Sequence, residues 1–226
     1  MGAGFKTSAD ITGRLLFPAS GQGHITPTYV IGFLGSPTGG SFTATITTPS
    51  GSTTTSAITY SSGLTAVTVQ AAVQGLSNVG AGNATVTGSN GGPFTVAFAA
   101  SLGPVSLSVT PSLTGGSNPS ATVTGVGVKT TVYTVPTATA TRIAKAVIYN
   151  AGISTGTVLV SVIPAGATDD GSHVVVGLGT GVVPGLVAGD TTVISELDTV
   201  PLDAGVSLSI SSTQPVCVTV TGMESA

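Results

Sequence analysis

The sequence pattern that best predicts the fold lies between residues 41 and 111 and begins with Ser41-Phe42-Thr43-Ala44-Thr45-Ile46-Thr47. Every second residue of this segment is apolar, and a period of two is typical of a strand with one buried face. Apolar residues then recur at the i, i+3, i+4 and i+7 spacing of one helix face: Val69, Ala72, Val73 and Leu76. We predict a short helix at about residues 65–77, with Thr65 as its N-cap.

After this helix the period of two returns at Ala84 and Val86. The turn Ser89-Asn90-Gly91-Gly92 follows, and a turn of this composition between alternating segments is a strong hairpin signal. Phe94 and Val96 continue the alternation on the far side of the turn. We therefore predict that residues 41–125 form a small β-rich module with one helix.

Five segments carry a resemblance to known proteins. They are Phe42-Thr43, Ala57-Ile58-Thr59-Tyr60, Val69-Gln70-Ala71-Ala72-Val73 with Leu76, residues 79–88 and residues 91–98. In order and spacing they resemble a module that recurs in virion proteins of tailed bacteriophages, chiefly those infecting actinobacteria. The resemblance implies a surface or assembly module of a phage particle, and it provides no catalytic residue to transfer.

Residues 130–226 predict a second domain that is entirely β. The strand candidates are Thr131–Val135, Ile143–Tyr149, Thr157–Ile163, His173–Leu178, Thr191–Leu197, Val206–Ile210 and Val216–Val220. Turn signals separate them at the spacing of a β-sandwich or jelly roll, and we expect the second and third candidates to be central and covered on both sides. Four short motifs are Tyr133-Thr134-Val135-Pro136, Val147-Ile148-Tyr149-Asn150, Ile163-Pro164-Ala165-Gly166 and Leu202-Asp203-Ala204-Gly205-Val206. Through them this half resembles small β-sandwich domains of phage tail and head-fibre proteins, which implies trimerisation or a position on the outside of the particle.

The first 40 residues show no clear periodicity and are interrupted by proline and glycine. They nevertheless hold four of the ten aromatic residues, and aromatic side chains bury large areas. We predict an extended arm, residues 1–40, that anchors the protein on a partner. The predicted partner-binding residues are Phe5, Phe17, Tyr29, Ile31 and Phe33. The alternative is that the arm folds back over one of the chain's own domains.

The composition excludes several classes of partner. Charged residues make up only 6% of the chain, and the formal net charge is −3. Binding to a nucleic-acid backbone requires clustered Lys and Arg, so nucleic acid is not an expected partner. No apolar run approaches the length of a membrane span, and residues 1–20 do not resemble a secretory signal. We expect the protein to be assembled in a host cytoplasm.

Residues capable of catalysis are few. The two histidines, His24 and His173, lie in no nucleophile pattern, and Cys217 is the single cysteine, placed out of phase with the valines of its strand. The candidate carboxylates all lie in the last domain: Asp169, Asp170, Asp190, Glu196, Asp198 and Asp203. Asp in this context is typical of turns, and no calcium-loop spacing is present, although calcium binding at these turns stays an alternative. We expect no enzymatic activity, no cofactor, no metal and no small-molecule substrate.

These observations together favour a non-enzymatic structural protein of a virion. The first interpretation is a capsid decoration protein that binds the major capsid protein or other virion proteins and forms a homo-oligomer, most simply a trimer. The alternatives are a minor tail or baseplate-associated protein and, with less support, a secreted glycan-binding or adhesin module. Oligomerisation would cover sheet edges that carry no protective Lys or Glu.

Overall fold

The computed structural model describes residues 24–137, 140–168, 170, 172–179, 185–194, 197 and 201–225. The architecture is mainly β, as predicted, with several antiparallel sheets and one α-helix among the described residues. The chain divides into two compact units. We call residues 26–126 the first domain, and residues 24–25 with 127–225 the second domain.

The first domain contains eight strands and the helix. They are β2 (Thr28–Leu34), β3 (Gly39–Thr48), β4 (Gly51–Thr54), β5 (Ile58–Thr59), α1 (Ala66–Gln74), β6 (Ala84–Gly88), β7 (Phe94–Phe98), β8 (Ser106–Thr114) and β9 (Ser120–Val126). One sheet has the strand order β6-β7-β2-β9, and in the other β3 pairs with β4, β5 and β8. A single hydrophobic core takes side chains from both sheets, including Tyr29, Ile31, Phe42, Ile46 and Phe94.

The predicted helix is present as α1, with bounds shorter than the expected 65–77. Thr65 is its N-cap, because the Thr65 side chain accepts a hydrogen bond from the Thr68 amide at 3.2 Å. Val69 and Val73 are fully buried in the core, as their spacing indicated. The predicted hairpin also forms, since β6 and β7 are antiparallel partners joined through the turn at residues 89–93.

Two chain reversals pack against each other where strands pass from one sheet to the other. The first joins β2 to β3 and the second joins β8 to β9. The Thr38 amide donates to the Thr114 carbonyl oxygen at 2.9 Å, and the Ser117 amide donates to the Gly35 carbonyl oxygen at 2.8 Å. The backbones therefore approach closely here, and we refer to this contact as the double corner.

The described residues of the second domain form the remaining nine strands. They are β1 (His24–Ile25), β10 (Thr130–Thr134), β11 (Ala140–Asn150), β12 (Val158–Ile163), β13 (Val174–Leu178), β14 (Thr191–Ile194), β15 (Pro201–Leu202), β16 (Ser207–Ser212) and β17 (Val216–Ser225). One sheet has the order β1-β17-β11-β14 with β15 also on β11, and the other has the order β10-β16-β12-β13. Both sheets contribute to one core that includes Tyr133, Ile143, Ile148, Leu202 and Leu208. This arrangement is consistent with the predicted β-sandwich.

Each of the seven strand candidates of this half overlaps an observed strand. The central positions predicted for Ile143–Tyr149 and Thr157–Ile163 are correct, because β11 and β12 each have a strand on both sides. Coverage on both faces is wrong for β11, since Tyr149 is 42% exposed on it. Val147, which lies two residues before Tyr149 on the same face, is only partly buried.

Candidate interaction surface

The structure corrects the predicted N-terminal arm. Residues 26–40 belong to the first domain, and β2 lies inside its sheet between β7 and β9. Tyr29 is 2% exposed and Ile31 is fully buried, so neither side chain is available to a partner. The period-two alternation of β2 places these side chains in the chain's own core. Phe5 and Phe17 lie outside the described residues.

Phe33, the third predicted anchor within β2, packs against aromatic residues of the chain itself. Its ring centroid lies 5.3 Å from that of Phe42, 4.5 Å from that of Tyr60 and 6.0 Å from that of Phe94. Edge and tilted arrangements at these distances are favourable for aromatic pairs. The prediction that Phe33 contacts a partner is therefore replaced by a role in closing the core of the first domain.

Tyr29 also anchors the core through its hydroxyl group. The hydroxyl donates to the Val105 carbonyl oxygen at 2.6 Å. Burial raises the pKa of Tyr29 far above its ordinary value of 10.0, and a hydrogen bond with the Ser106 side chain lowers it in part. Tyr29 and Tyr60 are the only titratable side chains between residues 26 and 126.

We expect Tyr29 to make the chain less stable at high pH. Below pH 10 the residue is protonated in both the folded and unfolded states, and above pH 10 only the unfolded state loses the proton. The free energy of unfolding should then fall by about 1.4 kcal/mol per pH unit until the folded-state pKa is reached. Chemical denaturation between pH 8 and pH 11, compared between the chain and Tyr29→Phe, measures this loss.

The Tyr29→Phe variant is the control, because every other titrating group is common to both proteins. It should be less stable by about 1 kcal/mol at pH 8, owing to the lost hydrogen bond. Its deficit should shrink as the pH rises toward 11. Parallel pH profiles for the two proteins would contradict the assignment.

One edge of the β6-β7-β2-β9 sheet is covered by the helix. The Val86 amide of β6 donates to Gln70 Oε1 at 2.9 Å, and Gln74 Nε2 donates to the Ala84 carbonyl oxygen at 2.7 Å. Two glutamine side chains, four residues apart on α1, thus make hydrogen bonds that a neighbouring strand would otherwise make. Covering an edge in this way prevents further strand pairing.

The opposite edge of the same sheet is open. β9 pairs with β2 at all seven of its residues without a register shift. No other strand of the described chain pairs with β9. Its side chains Thr122, Thr124 and Val126 are exposed, and the strand has no charge, no proline and no bulge, the devices that usually protect an edge.

Hydroxyl groups cover the outer face of the second sheet of this domain. Thr43, Thr45 and Thr47 alternate with the buried Phe42, Ala44 and Ile46 along β3. Thr45 Oγ1 and Thr54 Oγ1 lie 2.8 Å apart, and Thr47 Oγ1 donates to Ser52 Oγ at 3.0 Å. The hydroxyls satisfy one another across the strands, so this face is polar and uncharged.

The second domain exposes apolar side chains near one end of β11. Tyr149, Ile153, Val187 and Val193 are each between 42% and 58% exposed. The loops that carry Ile153 and Val187 are tied together by the buried Asn150. Its Nδ2 donates to the carbonyl oxygens of Ser154 at 3.0 Å and Leu186 at 2.8 Å. These apolar groups are therefore held on a fixed framework.

The predicted titratable candidates show no assembled catalytic geometry among the residues described. Asp170 Oδ1 accepts hydrogen bonds from the amide and the hydroxyl of Ser172, at 2.9 and 2.6 Å, and these bonds lower the pKa of Asp170. Asp170 thus forms the turn that its sequence context indicated. Asp203 accepts a backbone hydrogen bond from Val206, again in a turn, and Asp190 lies between the turn at residues 188–189 and β14. Asp169, Glu196 and Asp198 lie outside the described residues.

Cys217 and the histidines have positions consistent with structural roles. Cys217 is half-buried between the buried Val216 and Val218, and burial raises the pKa of its thiol. The His173 carbonyl oxygen accepts a hydrogen bond from the Val162 amide at the start of β13. His24 lies in β1, where its backbone is opposite Cys217. In the described part of the chain, no three His, Cys, Asp or Glu side chains cluster as metal ligands would.

The sequence did not predict two features of the first domain, the open edge of β9 and the covered edge of β6. The signal for the second is present in the sequence, since Gln70 and Gln74 flank the apolar helix face at a spacing of four. No helix of the described residues is long and apolar enough to cross a membrane.

No protein-family model matches the chain, and no curated protein sequence matches it. Among solved structures, a chain of the infectious bursal disease virus Gx strain matches with a TM-score of 0.27 and 10% sequence identity. The match covers 88% of this chain and 56% of that viral chain, so this chain spans little more than half the length of its structural neighbour. The likeness is to a viral structure, and at this TM-score it carries no argument about function.

Proposed function

We propose that the chain is a non-enzymatic structural protein of a tailed-phage particle, attached to the capsid surface as a decoration protein. The observation that carries the proposal is the open, uncharged edge of β9 on a domain with no formal charge. An exposed strand edge offers unpaired amide and carbonyl groups, which recognise another protein backbone. The resemblance of segments within residues 42–98 to a module of phage virion proteins supports the same role.

Attachment to the particle rests on protein contacts rather than on ion pairs. The exposed Tyr149, Ile153, Val187 and Val193 offer apolar area on the second domain. A stable interface buries more than about 1,000 Å² in total, which requires such side chains together with neighbouring polar surface. The major capsid protein or another virion protein is the proposed partner, with self-association into a homo-oligomer, most simply a trimer.

A tail or baseplate location is the second candidate, because the resemblance of residues 42–98 extends to virion proteins in general. Gold-labelled antibody raised against this chain, viewed on intact particles of the phage that encodes it, separates the two locations. Label on the shell supports decoration of the capsid, and label confined to the tail supports the second candidate. Antibody absorbed with purified protein is the control. Particles without specific label at either place would overturn the virion proposal.

A further inference from the structure

We propose that the open edge of β9 binds the β9 strand of a second copy of this chain, in an antiparallel pair across a twofold axis. Two four-stranded sheets would then form one continuous eight-stranded sheet. The inference rests on the self-association part of the proposed function, specifies a dimer where that proposal gave a trimer as the simplest oligomer, and does not depend on where the protein sits on a particle.

The two edges of the sheet differ in a way that points to this partner. On the outer side of β6, Gln70 and Gln74 bond the Val86 amide and the Ala84 carbonyl oxygen, whereas no described strand other than β2 pairs with β9. A sheet with two open edges would add copies without limit. With one edge covered, pairing through β9 joins two copies and then stops, which gives a closed dimeric contact.

Self-pairing also fits the shape and chemistry of the edge. An antiparallel pair of identical strands is self-complementary, because each copy offers the other the same groups in reverse order. β9 pairs with β2 over seven residues without a register shift, so full overlap of two copies of β9 centres the axis on Val123. This register places Thr122 of each copy opposite Thr124 of the second copy. No side chain between residues 26 and 126 carries a charge, so no like charges lie within the paired edge itself.

The test uses charge at the two exposed threonines of β9. In the full-length chain, Thr122→Lys with Thr124→Lys would set like charges directly opposite each other twice across the axis. Multi-angle light scattering over a range of concentrations should show the dissociation constant of the pair rising by about tenfold or more. Circular dichroism on the same samples establishes that each variant is folded.

Two further variants make the test specific. Thr85→Lys with Thr87→Lys puts the same charges on exposed threonines of β6, the covered edge of the same sheet, and should leave association unchanged. Thr122→Lys with Thr124→Glu places opposite charges across the axis and should restore association. A chain that stays monomeric at all concentrations overturns the proposal. So does an assembly that the lysines at positions 122 and 124 leave unchanged, or that the β6 lysines disrupt equally.

Hydrogen exchange on the unmodified chain provides a second measurement if the lysine variant fails to fold. Amides within residues 120–126 should exchange more slowly at high than at low protein concentration, with those of β6 unchanged. Equal exchange of β9 at both concentrations overturns the pairing. A trimer insensitive to β9 substitutions would refute this inference and leave the proposed function intact. Particles without antibody label would refute the proposed function and leave the pairing of β9 intact.

Discussion

A chain lacking residues 1–38 is expected to lose the folded first domain. This deletion removes β2, which pairs with β9 along its whole length and with β7 through Tyr29, Val30 and Ile31. Burying an apolar or aromatic side chain contributes about 1.5–3 kcal/mol, and Tyr29 and Ile31 are both buried. Together with the lost hydrogen bonds of two strand pairs, this loss is comparable with the total stability of a typical domain, about 5–15 kcal/mol.

A deletion that stops at residue 22 is the matched control. It leaves β1 and β2 in place, so amides of β3 and β7 should stay protected from hydrogen exchange as in the full-length chain. In the longer deletion the same amides should exchange at the rate of an unfolded chain. Protection of β3 and β7 without residues 1–38 would contradict the central role of β2. The shorter deletion is also the suitable one for testing whether residues before His24, including Phe5 and Phe17, anchor the protein.

The substitution Gly116→Ala is expected to destabilise the first domain by more than about 4 kcal/mol, the range reached only by severe mechanisms. Gly116 lies in the double corner with a φ of 66°. A Cβ at this position would overlap the backbone carbonyl oxygens of Gly35 and Ser36. Because those atoms belong to the facing chain reversal, relief requires the two corners to separate and their hydrogen bonds to break.

Gly82→Ala separates this overlap from backbone strain. Gly82 has a φ of 80°, and a Cβ there meets no atom within 4 Å. Left-handed conformation costs an L residue about 1–2 kcal/mol, so this variant should lose about that amount. Chemical denaturation of both variants gives the comparison. Similar losses of unfolding free energy for the two variants would show that the double corner accommodates a Cβ at position 116 without separating.

Local patterns predicted the elements whose determinants lie close together in sequence. The helix followed from the spacing of Val69 and Val73 and from Thr65 as its cap, and all three have the predicted roles. The turn at residues 89–92 similarly predicted the β6–β7 hairpin. The strands of the second domain were recognisable because their residues are rich in apolar side chains and turn residues separate one strand from the next.

The pairing of β2 was not predictable from the same signals. Its alternating pattern in residues 28–33 indicates a strand, but alternation does not identify the strand with which it pairs. Its partners lie far along the chain, since Tyr29 is opposite Val96 on one side and Gly125 on the other. From the sequence, this segment fits either a partner molecule, the favoured interpretation, or the chain's own domains, and the structure places it in the chain's own sheet.

The open edge of β9 was not predictable from the sequence for a similar reason. Whether an edge is open depends on which strands are its neighbours, and β9 carries no residue that distinguishes it from the other Thr-rich strands. The acidic turns were predicted more accurately, because Asp170 bonds to Ser172, only two residues away. Hydrogen bonds between residues close in sequence were predictable in this chain, whereas the order of the strands in its sheets was not.

The absence of charged side chains between residues 26 and 126 also affects how fast this domain finds its partners. Long-range attraction accelerates many protein encounters to about 10⁸–10⁹ M⁻¹ s⁻¹, whereas neutral surfaces associate at about 10⁵–10⁶ M⁻¹ s⁻¹. This domain itself supplies no long-range electrostatic attraction, so any dependence of the encounter rate on ionic strength comes from charges elsewhere in the chain. Crowding of copies on a common scaffold would then compensate for slow encounters by raising the local concentration.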